Sequence, residues 1–220
     1  MTAHGLAVVW AERGMMLRGL VTTAEIVAIA AVLALALGLV LFVLLVRSQG
    51  GPVARAIAWL IDLMRCIPFM LFCYLVYYGL PYCGVLLDGW TAGVFSLAVY
   101  NACYFAELLR GAWTQLPREE IEAGSAFGFH GWRLIRHLVL PPVIANALPM
   151  LGNQVIQIIK DSAFLIIIAV HELTFSANEI QATFYVPFAS FVAAILLYWL
   201  LCLAVERGVG AMVRTAEAWR

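Results

Sequence analysis

Residues 26–46, IVAIAAVLALALGLVLFVLLV, form a run of 21 residues without a single charge. A helix of about 20 apolar residues is long enough to cross the hydrocarbon core of a bilayer. The rest of the chain has the same character, because 65% of its 220 residues are hydrophobic and only 12% are charged. The mean hydropathy is +0.97, which is too high for a soluble domain of this length. We therefore expect an all-α integral membrane protein.

Further charge-free windows predict four more spans, which makes five in total. They cover residues 66–87, 89–106, 138–159 with an apolar continuation at 162–170, and 180–205. An odd number of spans places the two ends of the chain on opposite sides of the membrane. We expect residues 1–19 to be an interfacial or periplasmic segment, residues 20–212 to be the transmembrane domain, and residues 213–220 to be a cytoplasmic tail.

The distribution of basic residues predicts the orientation. Neither residues 66–109 nor residues 161–206 contain Lys or Arg, so the loops after spans two and four are expected outside. The loops on the other face hold Arg47, Arg55, Arg110, Arg118, Arg133, Arg136, Arg207, Arg214 and Arg220. The N-terminus is then outside and the C-terminus cytoplasmic. Arg13 and Arg18 depart mildly from this rule, and an interfacial helix before span one would account for them.

The loop between spans three and four is unusually long, with 27 residues from 111 to 137. Residues 118–141 read REEIEAGSAFGFHGWRLIRHLVLP, and the signals in this stretch are those of helices. Pro117 suits a first helical position, Glu119 and Glu120 suit a first turn, and Gly128 can supply a left-handed stop. We expect a second helix from residue 130 until the Pro141–Pro142 pair ends it.

The first loop helix combines small residues at 123–126 with three glutamates, and phenylalanines at 127 and 129 flank its glycine corner. Aromatic anchors within a charged rim are typical of protein docking sites. The alternative is an amphipathic helix lying on the bilayer surface. Such helices usually present Lys and Arg to lipid headgroups, whereas this one presents Glu, which favours docking.

The spacing in this loop resembles the "EAA" signature of permease subunits in binding-protein-dependent ABC importers. That signature reads E-A-A, three residues, G, nine residues, I, any residue, L-P. Here it is matched by Glu122-Ala123-Gly124, then Gly128, then Leu138 to Pro141. Gly124 replaces the second alanine and Leu138 replaces the isoleucine.

Three further stretches resemble the polar amino acid and opine branch of that family, the histidine and glutamine permeases. They are DLMRCIP at 62–68, YNACYFAELLRG at 100–111 and LPMLGNQVIQIIKDSAFL at 148–165. The branch patterns are ELFRGTP, NSAYxAEIxRG and LPPLGNQxIxLLKDTSL. The matches occur in the expected order over roughly residues 20–210, so we identify the chain as a member of this family.

The resemblance implies an ATP-driven importer permease in the bacterial inner membrane. The coupling loop, about 112–141, would dock on a dimer of ATPase subunits, with contacts from Glu119, Glu122, Ala123, Gly124, Phe127, Gly128, Leu140 and Pro141. ATP and Mg would be bound by those subunits, because this sequence has no G-x-x-x-x-G-K-[ST] motif and we expect it to bind no cofactor or metal itself. A second permease, identical or homologous, and an external substrate-binding protein complete the implied complex, and no nucleic acid is involved.

Polar residues within the spans are candidates for the substrate path, because ionisable groups are costly there. Along span four, Asn153, Gln157 and Lys160 or Asp161 recur at helical spacing, and the last two interrupt an apolar run, which suggests a broken helix. Tyr100, Cys103 or Tyr104, and Glu107 share a face of span three. Asp62 and Arg65 form a pair at the start of span two, and Pro68 beyond them is expected to kink that span. Each of these has a structural alternative as a local ion pair, such as Glu107 with Arg110.

The sequence bears on two other classes of function. HELTF at 171–175 lacks the second histidine of H-E-x-x-H, and GSAFG at 124–128 has its serine out of place for G-x-S-x-G, so no catalytic residue is expected. An ATP-independent amino-acid channel or secondary carrier stays open as the alternative, although spans one to three do not visibly repeat in spans four and five. The resemblance implies a polar amino acid or a related compound as the cargo, and the acidic residues Asp62, Glu107 and Asp161 favour a basic one.

Overall fold

The computed structural model describes residues 2–48 and 50–217, and these residues contain helices and no strand. The all-α prediction is therefore confirmed for this part of the chain. The α-helices are α1 (Thr2–Ala11), α2 (Arg13–Arg47), α3 (Pro52–Cys66), α4 (Phe69–Tyr74), α5 (Gly89–Thr114), α6 (Arg118–Ala126), α7 (Trp132–Leu134), α8 (Leu140–Ser162), α9 (Leu173–Phe184) and α10 (Pro187–Glu217). Two π-helical turns (Leu75–Gly79, Ile135–Val139) and two 3₁₀ segments (Leu80–Cys83, Ala163–Ile168) connect some of them.

Four continuous helical segments are long and apolar enough to cross a membrane. They are Arg13–Arg47, Gly89–Thr114, Gly131–Ile168 and Pro187–Thr215. A fifth candidate is the sharply bent pair Pro52–Cys66 and Phe69–Cys83, if the pair forms one broken span. The described residues thus hold four or five candidate spans, in agreement with the number expected from the sequence.

The ends of several helices differ from the sequence expectation. Helix α2 begins at Arg13 rather than near residue 26, because Arg18 and Glu25 are helical and do not interrupt it. The fifth span is predicted from residue 180, which is too early. Helix α9 ends at Phe184, and Tyr185 follows it with a left-handed φ of 56°. Pro187 then occupies the first position of α10, where its missing N–H costs nothing.

Helix α3 was not predicted as a separate element. It ends at Cys66, and Ile67 is extended with ψ at 131° because the residue before a proline is disfavoured in the helical region. Pro68 was expected to kink span two, and the structure has a full break at this point. Helix α9 was likewise not predicted, because polar residues such as Asn178 and Glu179 interrupt its 12 residues and leave no long apolar run.

The span expected to break at Lys160 and Asp161 continues through both residues. Helix α8 extends as far as Ser162, and the backbone then tightens to a 3₁₀ segment that ends at Ile168, before Ala169 with φ at 57°. The break therefore follows the charged pair instead of coinciding with it. Neither Lys nor Asp has a backbone reason to end a helix, whereas a short 3₁₀ segment is a common way to end one.

Contacts divide the described chain into two compact units. One comprises residues 2–32, 68–98 and 155–205, and its core is built from the buried side chains Met16, Leu173, Ala177, Ile180 and Ala194.

In this unit Asp88 caps α5: the hydroxyl and the amide of Thr91 donate to its carboxylate and hold the pKa of Asp88 below its usual range.

The other unit comprises residues 33–48, 50–67, 99–154 and 206–217. Helices α2 and α5 lie very close together in this unit, and Gly38 of α2 permits this approach. A Cβ atom at Gly38 would lie 2.9 Å from the Ala102 carbonyl and 2.7 Å from the Phe105 Cβ atom. Phe42, which is fully buried, packs edge-on against Trp113 with the ring centroids 6.4 Å apart. This unit carries the long loop and most of the candidate site residues.

Candidate functional site

The first loop helix is confirmed as α6. Pro117 precedes it in an extended conformation, Glu119 and Glu120 lie in its first turn, and Gly128 follows it with a φ of 86°. A positive φ of this size is costly for a residue with a Cβ atom, which explains a glycine at the corner. Pro117 is the residue before the helix rather than its first residue, a difference of one position.

Most of the residues expected to dock on the ATPase are exposed. Phe127 has 85% of its surface accessible, and the other exposed members are Glu119, Glu122, Ala123, Gly128 and Pro141. Leu140 is partly buried. Aromatic side chains within a charged rim are typical of protein contact sites. The surface of α6 and its corner therefore has the composition of a contact site.

Gly124 differs from the other residues of that set, because it is buried. A Cβ atom at this position would overlap the Leu138 Cδ1 atom and would lie 3.4 Å from Leu134. Gly124 thus faces the helical segment that follows the corner, not the exposed side of α6. The two positions at which this chain departs from the signature, 124 and 138, are in direct contact, so the smaller residue at one makes room for the leucine at the other.

The sequence predicts that the helix after the corner ends at Pro141 and Pro142. In the structure it continues through both prolines. Residues 135–139 instead form a π-helical turn, in which the Leu140 amide donates to the Ile135 carbonyl five residues back. A proline has no N–H and its ring crowds the preceding turn, and wider π turns are a known way to accommodate such a disruption. The chain therefore continues as helix from the loop directly into α8.

A compact charge network joins α3 to α5 within the second unit. The Glu107 carboxylate accepts two hydrogen bonds from Arg110, at 2.7 and 2.6 Å, and lies 3.5 Å from the Arg65 guanidinium. Arg65 also lies 3.8 Å from Asp62. The predicted pairs Asp62–Arg65 and Glu107–Arg110 are both present, and Arg65 links them into one network with two positive and two negative charges.

Tyr100 and Tyr104 close the broken end of α3. The Tyr100 hydroxyl donates to the Ile67 carbonyl at 2.9 Å, and the Tyr104 hydroxyl donates to the Arg65 carbonyl at 3.3 Å. The last carbonyls of a helix have no partner within the helix, and each such bond contributes about 1 kcal/mol. The Arg65 guanidinium lies 5.7 Å from the centre of the Tyr104 ring. The sequence placed both tyrosines on one face but gave no sign of this capping role.

Along α8 the structure adds one polar contact that the sequence did not suggest. Asn153 is exposed, whereas the neighbouring Gln154 donates to the Asn101 side chain at 2.7 Å. Asn101 is fully buried in α5, so this amide pair links α5 and α8. Asn153 is predicted to lie on one face with Gln157 because the two are at helical spacing. Spacing within one helix cannot reveal a buried partner on another helix, as Asn101 is for Gln154.

The remaining residues of the predicted polar face have different environments. Gln157 and Lys160 are exposed, while Asp161 is buried with 5% of its surface accessible. The Gln157 amide donates to the Asp161 carboxylate at 2.9 Å. The described residues contain no cluster of His, Cys, Asp or Glu that could hold a metal ion.

The chain is thus a multi-pass helical membrane protein with an exposed acidic helix and corner between two of its spans. Residues 34–216 match the family model described as "Binding-protein-dependent transport system inner membrane component". The chain belongs to this family, and it is a transport permease subunit of an ABC importer in the inner membrane rather than an ATP-binding subunit.

Curated relatives extend over most of the chain. It is 30% identical over 193 residues to the probable glutamine ABC transporter permease of Bacillus subtilis (strain 168), covering 86% of this chain and 89% of that protein. It is 37% identical over 156 residues to the glutamine transport system permease of Escherichia coli (strain K12), covering 69% and 71%. The arginine transport system permease of Bacillus subtilis (strain 168) is 29% identical over 192 residues, covering 85% of each chain.

A solved structure agrees with the fold. The chain superimposes on a chain of the "Crystal structure of an amino acid ABC transporter with histidines" with a TM-score of 0.87 and 25% identity, covering 96% of this chain and 98% of that one.

Proposed function

We propose that this permease imports a polar amino acid or a related compound by alternating access, powered by a separate ATPase. Relatives named for glutamine, arginine and nopaline transport support this class of cargo. The observation that carries the proposal is the exposed α6 surface with Phe127 at its corner, in a chain of this family. An ATP-independent channel or secondary carrier would have no use for such a surface.

The ATPase is proposed to dock on the loop at 118–141. The exposed residues Glu119, Glu122, Ala123, Phe127 and Gly128 would form the contact surface, and Pro141 would lie at its edge. Gly124 and Leu140 would support this surface without being exposed on it. Gly124 sets the distance between α6 and the following helix, and Leu140 is partly buried. The continuous helix from the π turn into α8 would carry movement of the loop into the membrane.

The proposed topology has the N-terminus outside and the C-terminus in the cytoplasm, on the basis of the arginine distribution. The proposed boundaries are those of the sequence: 1–19 as the interfacial or periplasmic segment, 20–212 as the transmembrane domain and 213–220 as the tail. Helix α2 runs through residue 19, so the first boundary would be one of environment and not of backbone structure.

The proposed assembly contains two permease chains, identical or homologous, in a lipid bilayer, together with a dimer of ATPase subunits that bind ATP and Mg and an external substrate-binding protein. The proposed path residues are Asn153, Gln157, Lys160, Asp161, Tyr100, Tyr104, Glu107, Asp62 and Arg65. Among them, Gln157 and Lys160 are exposed polar groups within a candidate span, which makes them the first candidates for contact with cargo.

Reconstitution tests the proposal. The chain is placed in proteoliposomes with its ATPase and binding protein, and uptake of radiolabelled glutamine and arginine is measured with and without ATP. Uptake is expected to require ATP and the ATPase subunit. Transport that persists when either is left out would refute the ATP-driven mechanism. A Phe127→Ala chain that transports at the normal rate would argue against the docking surface.

A further inference from the structure

Arg13 and Arg18 lie at the outer end of α2 in the proposed topology, and the proposed function uses neither of them. Basic residues are more frequent beside the cytoplasmic ends of spans, so the two arginines are an exception to the pattern of charge in this chain. Both are exposed. Within the part of the chain that the structure describes, neither forms an ion pair with an acidic residue, and this includes Glu12, which directly precedes Arg13.

The guanidinium groups of the two arginines both lie beside the first turn of α2. The Arg13 Nη1 atom donates to the Trp10 carbonyl at 2.9 Å, and the Arg13 Cζ atom lies 5.2 Å from the centre of the Trp10 ring. The Arg18 side chain runs back along the helix, and its Nη1 atom lies 3.7 Å from the position that a Cβ atom would take on Gly14. Both charges are therefore directed toward the outer end of the helix, as expected of arginines that extend from an apolar surface to the water–membrane interface.

Most of the hydrogen-bond donors of these two groups have no acceptor among the described residues. An arginine side chain has five N–H groups in a fixed planar arrangement, which suits the oxygens of a phosphate. The bond to the Trp10 carbonyl uses one donor of Arg13, and no described residue accepts a hydrogen bond from the Arg18 side chain. Two positive charges beside one helical turn, with donors to spare, are therefore available to an anion.

Apolar side chains lie on the same exposed face as the arginines. Trp10 precedes Arg13 on this face, and Leu17 and Val21 follow it, at spacings of three or four residues. All three are exposed, Trp10 to 71%. An anion dissolved in water would make no use of these apolar side chains. A phospholipid carries a phosphate and acyl chains in one molecule, so it matches both parts of the surface.

The opposite face of the same helices is packed and holds the exposed face in place. Helical hydrogen bonds continue across the single residue between α1 and α2, because the Glu12 amide donates to the Val8 carbonyl at 2.9 Å and the Met16 amide to the Glu12 carbonyl at 3.3 Å. Met16 is buried in the core of the first unit, and Val8 packs against that core. A fixed helical surface therefore presents the arginines together with their apolar neighbours.

We propose that Arg13 and Arg18 bind the phosphate of an anionic phospholipid, with Trp10 at the level of its headgroup and Leu17 and Val21 against its acyl chains. Tryptophan is favoured at the headgroup level of a bilayer. A zwitterionic lipid carries its own positive charge beside the phosphate, so two guanidinium groups favour a lipid with a net negative charge. In the proposed topology this lipid belongs to the outer leaflet. Binding requires neither ATP nor cargo, so it can be tested apart from the proposed function.

The test measures which lipids lie next to Trp10. The full-length chain, with the other six of its seven tryptophans replaced by phenylalanine, is placed in phosphatidylcholine bilayers that contain brominated phosphatidylglycerol or, in parallel, brominated phosphatidylcholine. Bromine quenches tryptophan fluorescence at short range, so the quenching gives the preference of this site for the anionic lipid. The preference should be about 25-fold, and Arg13→Gln and Arg18→Gln should each lower it about fivefold, the contribution of one basic residue at an anionic membrane surface. The double variant should show no preference.

The matched control is Arg47→Gln, because Arg47 is an exposed arginine at the other end of the same helix. This substitution should leave the quenching of Trp10 unchanged. Equal quenching by the two brominated lipids in the chain with both arginines would overturn the proposal. An equal loss of preference in the Arg47→Gln and Arg13→Gln chains would also overturn it, because the effect would then depend on total charge and not on this site.

A second measurement keeps all seven tryptophans. A phosphatidylglycerol with a photoreactive diazirine in one acyl chain is crosslinked to the full-length chain in a bilayer, and the labelled peptides are identified by mass spectrometry. Label is expected within residues 10–21, and it should fall about fivefold or more when both arginines are replaced by glutamine. Excess phosphatidylglycerol should compete with the label, whereas inorganic phosphate should not, because it has no acyl chain.

Three results of this experiment would overturn the proposal. Label that is absent from residues 10–21 would show that no such lipid lies there. Competition by inorganic phosphate would indicate a site for a free anion. Protection of the same residues by the external substrate-binding protein would indicate that this face is a protein contact.

Discussion

Replacing Gly124 with alanine would place a methyl group against Leu138, so the substitution measures how tightly α6 packs on the helix that follows it. Gly124 lies inside α6, where alanine is favoured over glycine by about 1 kcal/mol. The added methyl group would overlap the Leu138 side chain, and overpacking of this kind costs about 1–3 kcal/mol. The net effect of Gly124→Ala should therefore lie between about 0 and 2 kcal/mol of destabilisation.

The sign of the effect should reverse when Leu138 is shortened. In a Leu138→Ala background the overlapping atom is absent, and only the gain in helix propensity of about 1 kcal/mol remains. For a chain of this size, 1 kcal/mol corresponds to a shift in Tm of about 2–4 °C. Gly124→Ala should thus lower or leave unchanged the Tm of the original chain, and raise that of the Leu138→Ala chain by about 2–4 °C.

The assay is thermal unfolding in detergent, followed by the fluorescence of the seven tryptophans. Gly208→Ala is the matched control, because a Cβ atom at that helical position would meet no neighbour within 4 Å. It should raise the Tm equally in both backgrounds. If Gly124→Ala shifts the Tm by the same amount with and without Leu138, the two residues do not interact, and the packing of α6 described above is wrong.

Further substitutions address the docking surface, the α3 cap and the path. Gly128→Trp should abolish co-purification of the ATPase while membrane insertion stays normal. The φ of 86° favours glycine, and at this exposed position an indole would project into the contact surface. Normal co-purification would contradict this. Phe127→Ala should weaken ATPase binding about tenfold in a pull-down titration without changing the Tm, and a fall in Tm would mean that the ring is structural. Tyr104→Phe should lower the Tm by about 2–4 °C through loss of its bond to the Arg65 carbonyl, and an unchanged Tm would argue against that cap. Asp161→Asn should reduce uptake more than ATP hydrolysis in proteoliposomes, and equal rates of uptake would remove it from the path.

The existence of the spans could be predicted from the sequence because it depends on length and hydropathy alone. The ends of the helices could not, because charged residues are tolerated inside a long helix. Arg18 lies within α2, and Lys160 and Asp161, at which the sequence predicts a break, lie within α8. The true breaks occur where the backbone itself is restricted, at Pro68 and at the left-handed residues Ala169 and Tyr185.

The π turn before Pro141 shows a second limit of the sequence. Two adjacent prolines normally end a helix, and the pattern alone gave no reason to expect otherwise. The structure keeps the helix by shifting one hydrogen bond, from the Leu140 amide to the Ile135 carbonyl. Local residues indicate that a disruption occurs, but its form depends on the packing of Ile135 and Val139, both buried.

The charge network also bears on the charge of the cargo. By themselves, the carboxylates of Asp62 and Glu107 would favour a basic amino acid. Arg65 and Arg110 neutralise them, because Glu107 is held by both arginines and Asp62 by one. A cation would have to displace an arginine from Glu107, which costs a bidentate hydrogen bond. Of the three acidic residues, only Asp161 is not paired with an arginine, and it is buried and bonded to Gln157. The exposed amide of Gln157 can both donate and accept hydrogen bonds, so these side chains suit an uncharged polar amino acid at least as well as a basic one.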